Sequence, residues 1–138
     1  MRATLRKYEI LSSAKRIEAL FARGTALTSY PVRAIFLYSP DEPQTLTPVQ
    51  TLFSVPGRNF RKATQRNLLR RRLKEAYRKN KHILYSPSHQ LPGTIYIALL
   101  YSAKHTEPYS SIEKSVIKIL QEISVKIQSA IKNNLGGA

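Results

Sequence analysis

The chain has no cysteine and no tryptophan among its 138 residues. Without cysteine it can form neither a disulfide nor a thiolate metal site. That usage fits a reducing cytoplasm as the default compartment. Acids are scarce too: 8 Asp and Glu stand against 23 Lys and Arg. They are scattered, so no credible acid/base pair can be assembled from them, and no catalytic residue is expected. His82, His89 and His105 lack ligand-like spacing and read as surface or loop residues, so no metal site is expected. Gly24, Gly57 and Gly93 are isolated, which excludes a glycine-rich phosphate loop. No apolar signal core follows the basic N-terminal residues, and the longest apolar run, Ile95 to Tyr101, is far too short to cross a bilayer. A cytoplasmic location, away from membranes, is the expectation.

What remains is a chain of one-domain length with an ordinary apolar fraction, 42%, and a formal net charge of +15. Such a charge repels itself unless a polyanion is present. Nucleic acid is the commonest such partner, and an anionic membrane surface is the next. The charge is also concentrated. Eleven basic residues and one acid, Glu75, lie between Arg58 and Lys81. The first 35 residues carry seven basic and two acidic residues, and the rest nearly balances.

Hydrophobic periodicity supplies the scaffold. Ser12 and Ser13 can cap a helix running to Ala22 or Arg23, with Gly24 as its stop. Val32 to Tyr38 and Val49 to Val55 read as strands, joined antiparallel by a proline-rich loop from Ser39 to Pro48. A long helix follows from about Phe60 to Asn80, then a loop from Ser86 to Gly93. Thr94 to Tyr101 reads as a central strand buried on both faces. A last helix runs from about Ser110 to Lys132. Ile112, Val116, Ile119, Leu120, Ile123, Ile127 and Ile131 form its apolar stripe. Ser110 and Ser111 look like its caps, and Asn133 to Ala138 like a frayed tail. The expected fold is one α+β domain spanning residues 1–138, in α-β-β-α-β-α order, with a small mixed sheet covered by helices. A further short strand near Lys104 or in the loops is allowed.

On a helical wheel, Asn67, Arg70, Arg71, Lys74 and Arg78 share one arc with the small Ala63. Leu69, Leu73, Ala76 and Tyr77 share the roughly opposite arc. Arg61, Arg72 and Lys79 lie on a third side with Leu68 and Glu75. Cations one turn apart, about 5–6 Å, nearly match successive phosphates along a strand. Arg adds bidentate phosphate contacts, and a helix N-terminus near Arg58, Asn59 and Phe60 would add N–H donors. A solvated charged face would interleave Glu at i and i+4, and only Glu75 does so. A membrane-surface helix would expose its apolar stripe, whereas this stripe is needed to cover the sheet. A DNA-binding regulator would show a helix-turn-helix, which is not recognisable here.

The string Phe53-Ser54-Val55-Pro56, then Arg58-Asn59, Lys62-Ala63 and Arg66-Asn67-Leu68-Leu69-Arg70-Arg71-Arg72-Leu73-Lys74-Glu75-Ala76-Tyr77, resembles the signature of the bacterial ribonuclease P protein subunit. The pattern extends over most of the chain, through Phe21-x-x-Gly24 at the end of the first helix and the apolar last helix. There are two departures: Leu68 replaces the third residue of the family's Arg-Asn-Arg trio, and Gly57 stands where the family often has Lys.

The resemblance implies a ribosomal-protein-like fold with a left-handed β-α-β crossover. It implies a partner of the catalytic ribonuclease P RNA, which itself hydrolyses precursor tRNA to mature its 5′ end and uses Mg2+ to do so. No cofactor on the protein and no protein partner are expected. The implied RNA contacts are Arg58, Asn59, Lys62, Arg66, Asn67, Arg70, Arg71, Lys74 and Arg78. The single-stranded 5′ leader of the precursor would lie in a cleft at Ile17, Phe21, Arg33 and Ile35. Arg66 is a puzzle, since the wheel puts it beside Leu73 and Tyr77. The competing reading is a non-enzymatic, ribosomal-protein-like structural RNA binder.

Overall fold

Each β-prone run pairs into a single four-stranded sheet. A computed structural model describes residues 5–41, 47–88 and 93–136, without the side chains of 86–88 and 131–136. A single 3-10 turn, Lys7–Glu9, precedes α1 (Ala14–Arg23) and is followed by β1 (Thr25–Ser29), β2 (Val32–Ser39) and β3 (Val49–Ser54). Then come α2 (Ala63–Asn80), α3 (His82–Ser88), β4 (Thr94–Tyr101) and α4 (Tyr109–Gly136). The strand order is β1-β2-β4-β3, with β4 antiparallel to β2 and parallel to β3. The parallel pair is closed by the helices between them, so the chain contains a β-α-β unit.

The α+β class and the mixed sheet agree with the sequence reading; the element order does not. The expected order has no α3 and no named β1, although β1 is the further short strand allowed in the loops. β1 is a mostly exposed edge strand with Leu27 as its one large apolar residue, so it carries no alternating apolar signal. The segment near Lys104 is not a strand. α3 was hidden by the prolines of the Ser86 to Gly93 segment, but Leu84 and Tyr85 are buried and hold this turn of helix in the core. Residues 89–92 of that segment, with His89, lie outside the described residues, as do 42–46 of the Ser39 to Pro48 loop. β2 and β3 run antiparallel but are not neighbours, because β4 lies between them.

Helix boundaries also shift. α2 begins at Ala63 with Lys62 as its N-cap, not at Phe60. Phe60 is instead buried, its ring edge-on to Tyr101 at 5.7 Å. The expected anion-binding helix end near Arg58 and Asn59 therefore sits three residues further on. α4 starts at Tyr109, so Ser110 and Ser111 are inside its first turn rather than capping it. It runs on to Gly136 through the expected tail, and Ile131 lies outside the described side chains. Ser13 does cap α1, its hydroxyl accepting from the Arg16 N–H.

The sheet has two unequal faces. Ile95, Ile97, Leu99 and Tyr101 of β4 point to the main core with Val32, Ala34 and Phe36 of β2. Leu69, Leu73, Ala76 and Tyr77 of α2 and Ile112, Val116, Ile119, Leu120, Ile123 and Ile127 of α4 cover them. Burying each large apolar side chain of this set is favourable by about 1.5–3 kcal/mol, so the apolar stripe of α2 is its main hold on the sheet. The opposite face carries a second cluster, Leu11, Leu20, Ile35, Tyr96 and Ala98, beneath α1. α1 is too short to cover it all, and Leu37, Leu52 and Leu100 stay partly exposed.

Two local features fix these helices. Gly24 lets α1 end against β2: a Cβ there would lie 2.4 Å from the Leu20 carbonyl oxygen and 2.5 Å from Ile35 Cγ2. Glu9 and Lys81 form a buried ion pair, Nζ to Oε1 at 2.8 Å, with both side chains under a tenth exposed. The Tyr85 hydroxyl also donates to Glu9 Oε1, and the Arg6 N–H donates to Oε2 at 2.5 Å. Burial pushes the Glu9 carboxyl up, but these donors and the Lys81 charge more than offset that and hold it below its ordinary value of 4.5. The pair ties the N-terminal turn to the α2–α3 junction.

Two outcomes are expected. Glu9→Gln strands a buried ammonium and costs about 3–5 kcal/mol in urea denaturation, whereas Glu9→Gln/Lys81→Met recovers most of it. Because the folded carboxyl is lowered, its contribution is present above about pH 4.5 and is lost as pH falls through the folded value. The native protein thus loses stability on acidification more steeply than Glu9→Gln. Gly24→Ala, forced against backbone atoms, costs about 1–3 kcal/mol, read as a lower urea midpoint at unchanged slope.

Candidate nucleic-acid interface

α2 presents its charge on the side its apolar stripe leaves free. Asn67, Arg70, Arg71 and Lys74 together line an open depression of about 290 Å3. Arg70 Nη1 donates to Asn67 Oδ1 at 3.1 Å, so the carboxamide oxygen is engaged within the helix surface. Four polar side chains converging on one hollow make a cradle for an anionic backbone. Arg58 and Lys62 are exposed on the approach to α2, and Asn59 is half-exposed.

Arg78 was expected on the same line but leans away. Its guanidinium is bidentate on Glu75, Nε to Oε2 at 3.0 Å and Nη2 to Oε1 at 2.5 Å. That contact lowers the Glu75 carboxyl against a smaller desolvation effect and raises Arg78. Lys79 Nζ stands 3.9 Å from the same carboxylate. The one acid of the run thus draws two cations toward itself.

Arg66 is explained by its partners. Nη1 donates to the Phe60 carbonyl at 2.7 Å and the Arg61 carbonyl at 3.0 Å. It shapes the turn that leads into α2, and the wheel could not show this because both acceptors lie before the helix. Arg72 likewise donates to the Glu107 carbonyl at 2.7 Å, tying α2 to the β4–α4 connection. The basic run therefore divides into cations that hold the fold and cations left to a ligand.

The second surface lies on the opposite face of the sheet. Leu20 is fully buried and points α1 at the sheet, so Ile17 and Phe21 fall on one flank, with Phe21 47% exposed. Arg33, Leu100 and Ser54 form one row across β2, β4 and β3, and Arg33 is exposed. Ile35 is 9% exposed, packed beneath α1 beside Gly24 rather than open to a ligand. Leu52 and Leu100 supply the partly exposed floor that Ile35 does not. The alternation Tyr96-Ala98-Leu100 within β4 marks that floor, a signal masked by the near-continuous apolar run.

Among the described residues, no helix is long and apolar enough to cross a membrane. His82 opens α3 exposed to solvent, and His105 bonds Glu107, Nε2 to Oε1 at 2.9 Å.

Residues 5–124 match the family model for Ribonuclease P. The chain is 29% identical over 130 residues to the ribonuclease P protein component of Porphyromonas gingivalis, covering 94% of this chain and 93% of that one. It is 34% identical to the Chlorobium phaeobacteroides component over 84 residues, 60% of this chain and 58% of that one. Its fold resembles the ribonuclease P protein of Thermotoga maritima, with a TM-score of 0.59 at 19% identity over 83% of this chain and 96% of that one. With a family match over nearly its whole length and a fold to agree, the chain belongs to the ribonuclease P protein family, whose work is the 5′-end processing of tRNA.

Proposed function

We propose that this subunit binds the catalytic RNA through α2 and the 5′ leader of precursor tRNA through the cleft beside α1. Hydrolysis belongs to the RNA, which uses Mg2+, and the protein contributes no catalytic residue and holds no cofactor of its own. The setting is the cytoplasm. The observation that carries the reading is the cradle of Asn67, Arg70, Arg71 and Lys74, with Arg58, Asn59 and Lys62 on its approach. Arg66 and Arg78 act one step back, through the turn before α2 and through Glu75. In the cleft, Phe21 offers a stacking face, Ile17 an apolar wall and Arg33 a phosphate contact, while Ile35 supports them from below.

A structural RNA binder would share the cradle but have no use for a single-strand cleft on the far side of the sheet. Reconstitution separates the two readings. Added to its cognate RNA at low magnesium, the protein is expected to raise cleavage of precursor tRNA; no increase overturns the proposal. With about 6–10 phosphates contacted, affinity should fall roughly 10³–10⁵-fold between about 50 and 200 mM salt. Replacing Arg70, Arg71 and Lys74 by Ala should flatten that dependence by about two to three units of log–log slope, with thermal unfolding unchanged. If the triple variant unfolds instead, the stripe is structural.

Glu75 gives the opposite test. Glu75→Gln releases Arg78 and Lys79 and adds one net positive charge. RNA binding should tighten and its salt slope should steepen by about one unit. Stability should change little, because the Glu75 and Arg78 side chains are 41% and 34% exposed and such pairs are strongly screened.

A further inference from the structure

On the other flank of α1, away from Ile17 and Phe21, a second pocket of about 450 Å3 opens between the N-terminal turn and the start of β3. Lys7, Tyr8, Ser12, Arg16 and Gln50 line it. Tyr8 is 44% exposed, a large aromatic surface left in water. The Arg16 guanidinium lies 5.8 Å from the Tyr96 ring centroid, which stacks it at the pocket wall. Gln50 is the register partner of Tyr96 in β3.

The wall that carries Tyr8 is firmly anchored. Its neighbour Glu9 is held in the buried ion pair with Lys81. Ile10 bridges to Thr51, and the Leu11 N–H donates to the Thr51 carbonyl at 2.9 Å. On the other side of Tyr8, Arg6 and Glu9 are joined by the Arg6 N–H to Glu9 Oε2 bond and by the Glu9 N–H to Arg6 carbonyl bond at 3.0 Å, so the backbone position of Tyr8 is set before any ligand arrives, which lowers the ordering cost of binding. The fold thus spends a buried ion pair on a turn whose outward side chains are a cation and an aromatic ring.

We infer that this pocket takes one unpaired ribonucleotide, at a site separate from the leader cleft and from the α2 cradle. The base stacks on Tyr8, and its edge meets the Gln50 carboxamide, which can both donate and accept. Lys7 and Arg16 meet the flanking phosphates. The volume lies at the small end of the roughly 300–1,000 Å3 range of ligand pockets, so a splayed nucleotide fits and a duplex does not. An acidic peptide would satisfy the two cations but leave Tyr8 and Gln50 without a matching group. The inference rests on the RNA partnership proposed above. The nucleotide can come from the catalytic RNA or from a distal part of the leader, and the chemistry recognised is the same.

The absence of cysteine makes the test clean, because an introduced thiol is unique. Iron–EDTA is tethered at Ser12→Cys, beside the pocket, and separately at Ala63→Cys, on the α2 cradle side. Each protein is bound to the catalytic RNA alone and then to that RNA with a long-leader precursor tRNA. The Ser12 probe should cut one single-stranded segment, in one of the two RNAs, distinct from the Ala63 cuts. Adding Tyr8→Ala should remove that focus and weaken binding of that RNA about tenfold, whereas Tyr8→Phe keeps both. If Ser12 is silent while Ala63 cuts, or if Tyr8→Ala changes nothing, the pocket is not a nucleotide site. Silence from both probes would overturn the RNA-binding reading itself.

Discussion

The position of β4 between β2 and β3 governs the rest of the molecule. β4 is the last strand in the chain, yet it occupies the centre of the sheet and pairs parallel to β3. A parallel neighbour cannot be reached by a tight turn, so the intervening chain must cross over one face of the sheet. α2 is that crossover, and it is pinned against the face where Ile95, Ile97 and Leu99 point. α4 follows β4 and packs beside α2 on the same face. Both long helices are thereby spent on one side, and only the 10-residue α1 remains for the other. The uncovered strip of sheet, with Leu52, Leu100 and Arg33, is a consequence of topology.

The same constraint makes the charge tolerable. Eleven basic residues within 24 positions would disfavour an isolated helix, since like charges at i and i+4 repel. α2 is stabilised by docking Leu69, Leu73, Ala76 and Tyr77, not by its own side-chain pairs. The fold then reduces the repulsion where it can. Glu75 draws Arg78 and Lys79 aside, Glu9 neutralises Lys81, and backbone carbonyls receive Arg66 and Arg72. Arg70, Arg71 and Lys74 are left beside one another around the hollow they line with Asn67, a repulsion that a bound polyanion would relieve. The cations that hold the fold and those left open to a ligand are therefore separate members of one run of residues.

What was legible in the sequence was whatever repeats. The period of α2 separated Leu69-Leu73-Ala76-Tyr77 from Asn67-Arg70-Arg71-Lys74, and both sets lie where the wheel put them. The apolar run of β4 marked the central strand, and Ser13 and Gly24 marked the ends of α1. Features that depend on a single distant partner were not legible. Glu9 looks like any surface acid until Lys81, 72 positions away, is seen to bury it. Arg66 looked misplaced on the wheel because its acceptors lie in the turn before the helix. Arg78 looked free because a wheel assigns an angle to a Cβ and says nothing of where a long side chain ends. β1 was missed because an edge strand need not alternate, and Ile35 was taken as open because strand parity fixes a face without saying what covers it.

The two departures from the family pattern can now be weighed against the fold. Leu68 is 37% exposed and lies on the side of α2 away from the Asn67–Lys74 hollow, so no part of the cradle is built on it. Gly57 is more informative. A Cβ built there meets nothing within 4 Å, and its backbone is not in the left-handed region that favours glycine. Nothing in the packing requires glycine at this position, in contrast to Gly24. A lysine would fit without moving a neighbour. The missing charge is therefore not a demand of the fold. It leaves Arg58 as the exposed cation at the turn, one residue closer to the Phe60 carbonyl that Arg66 holds in place.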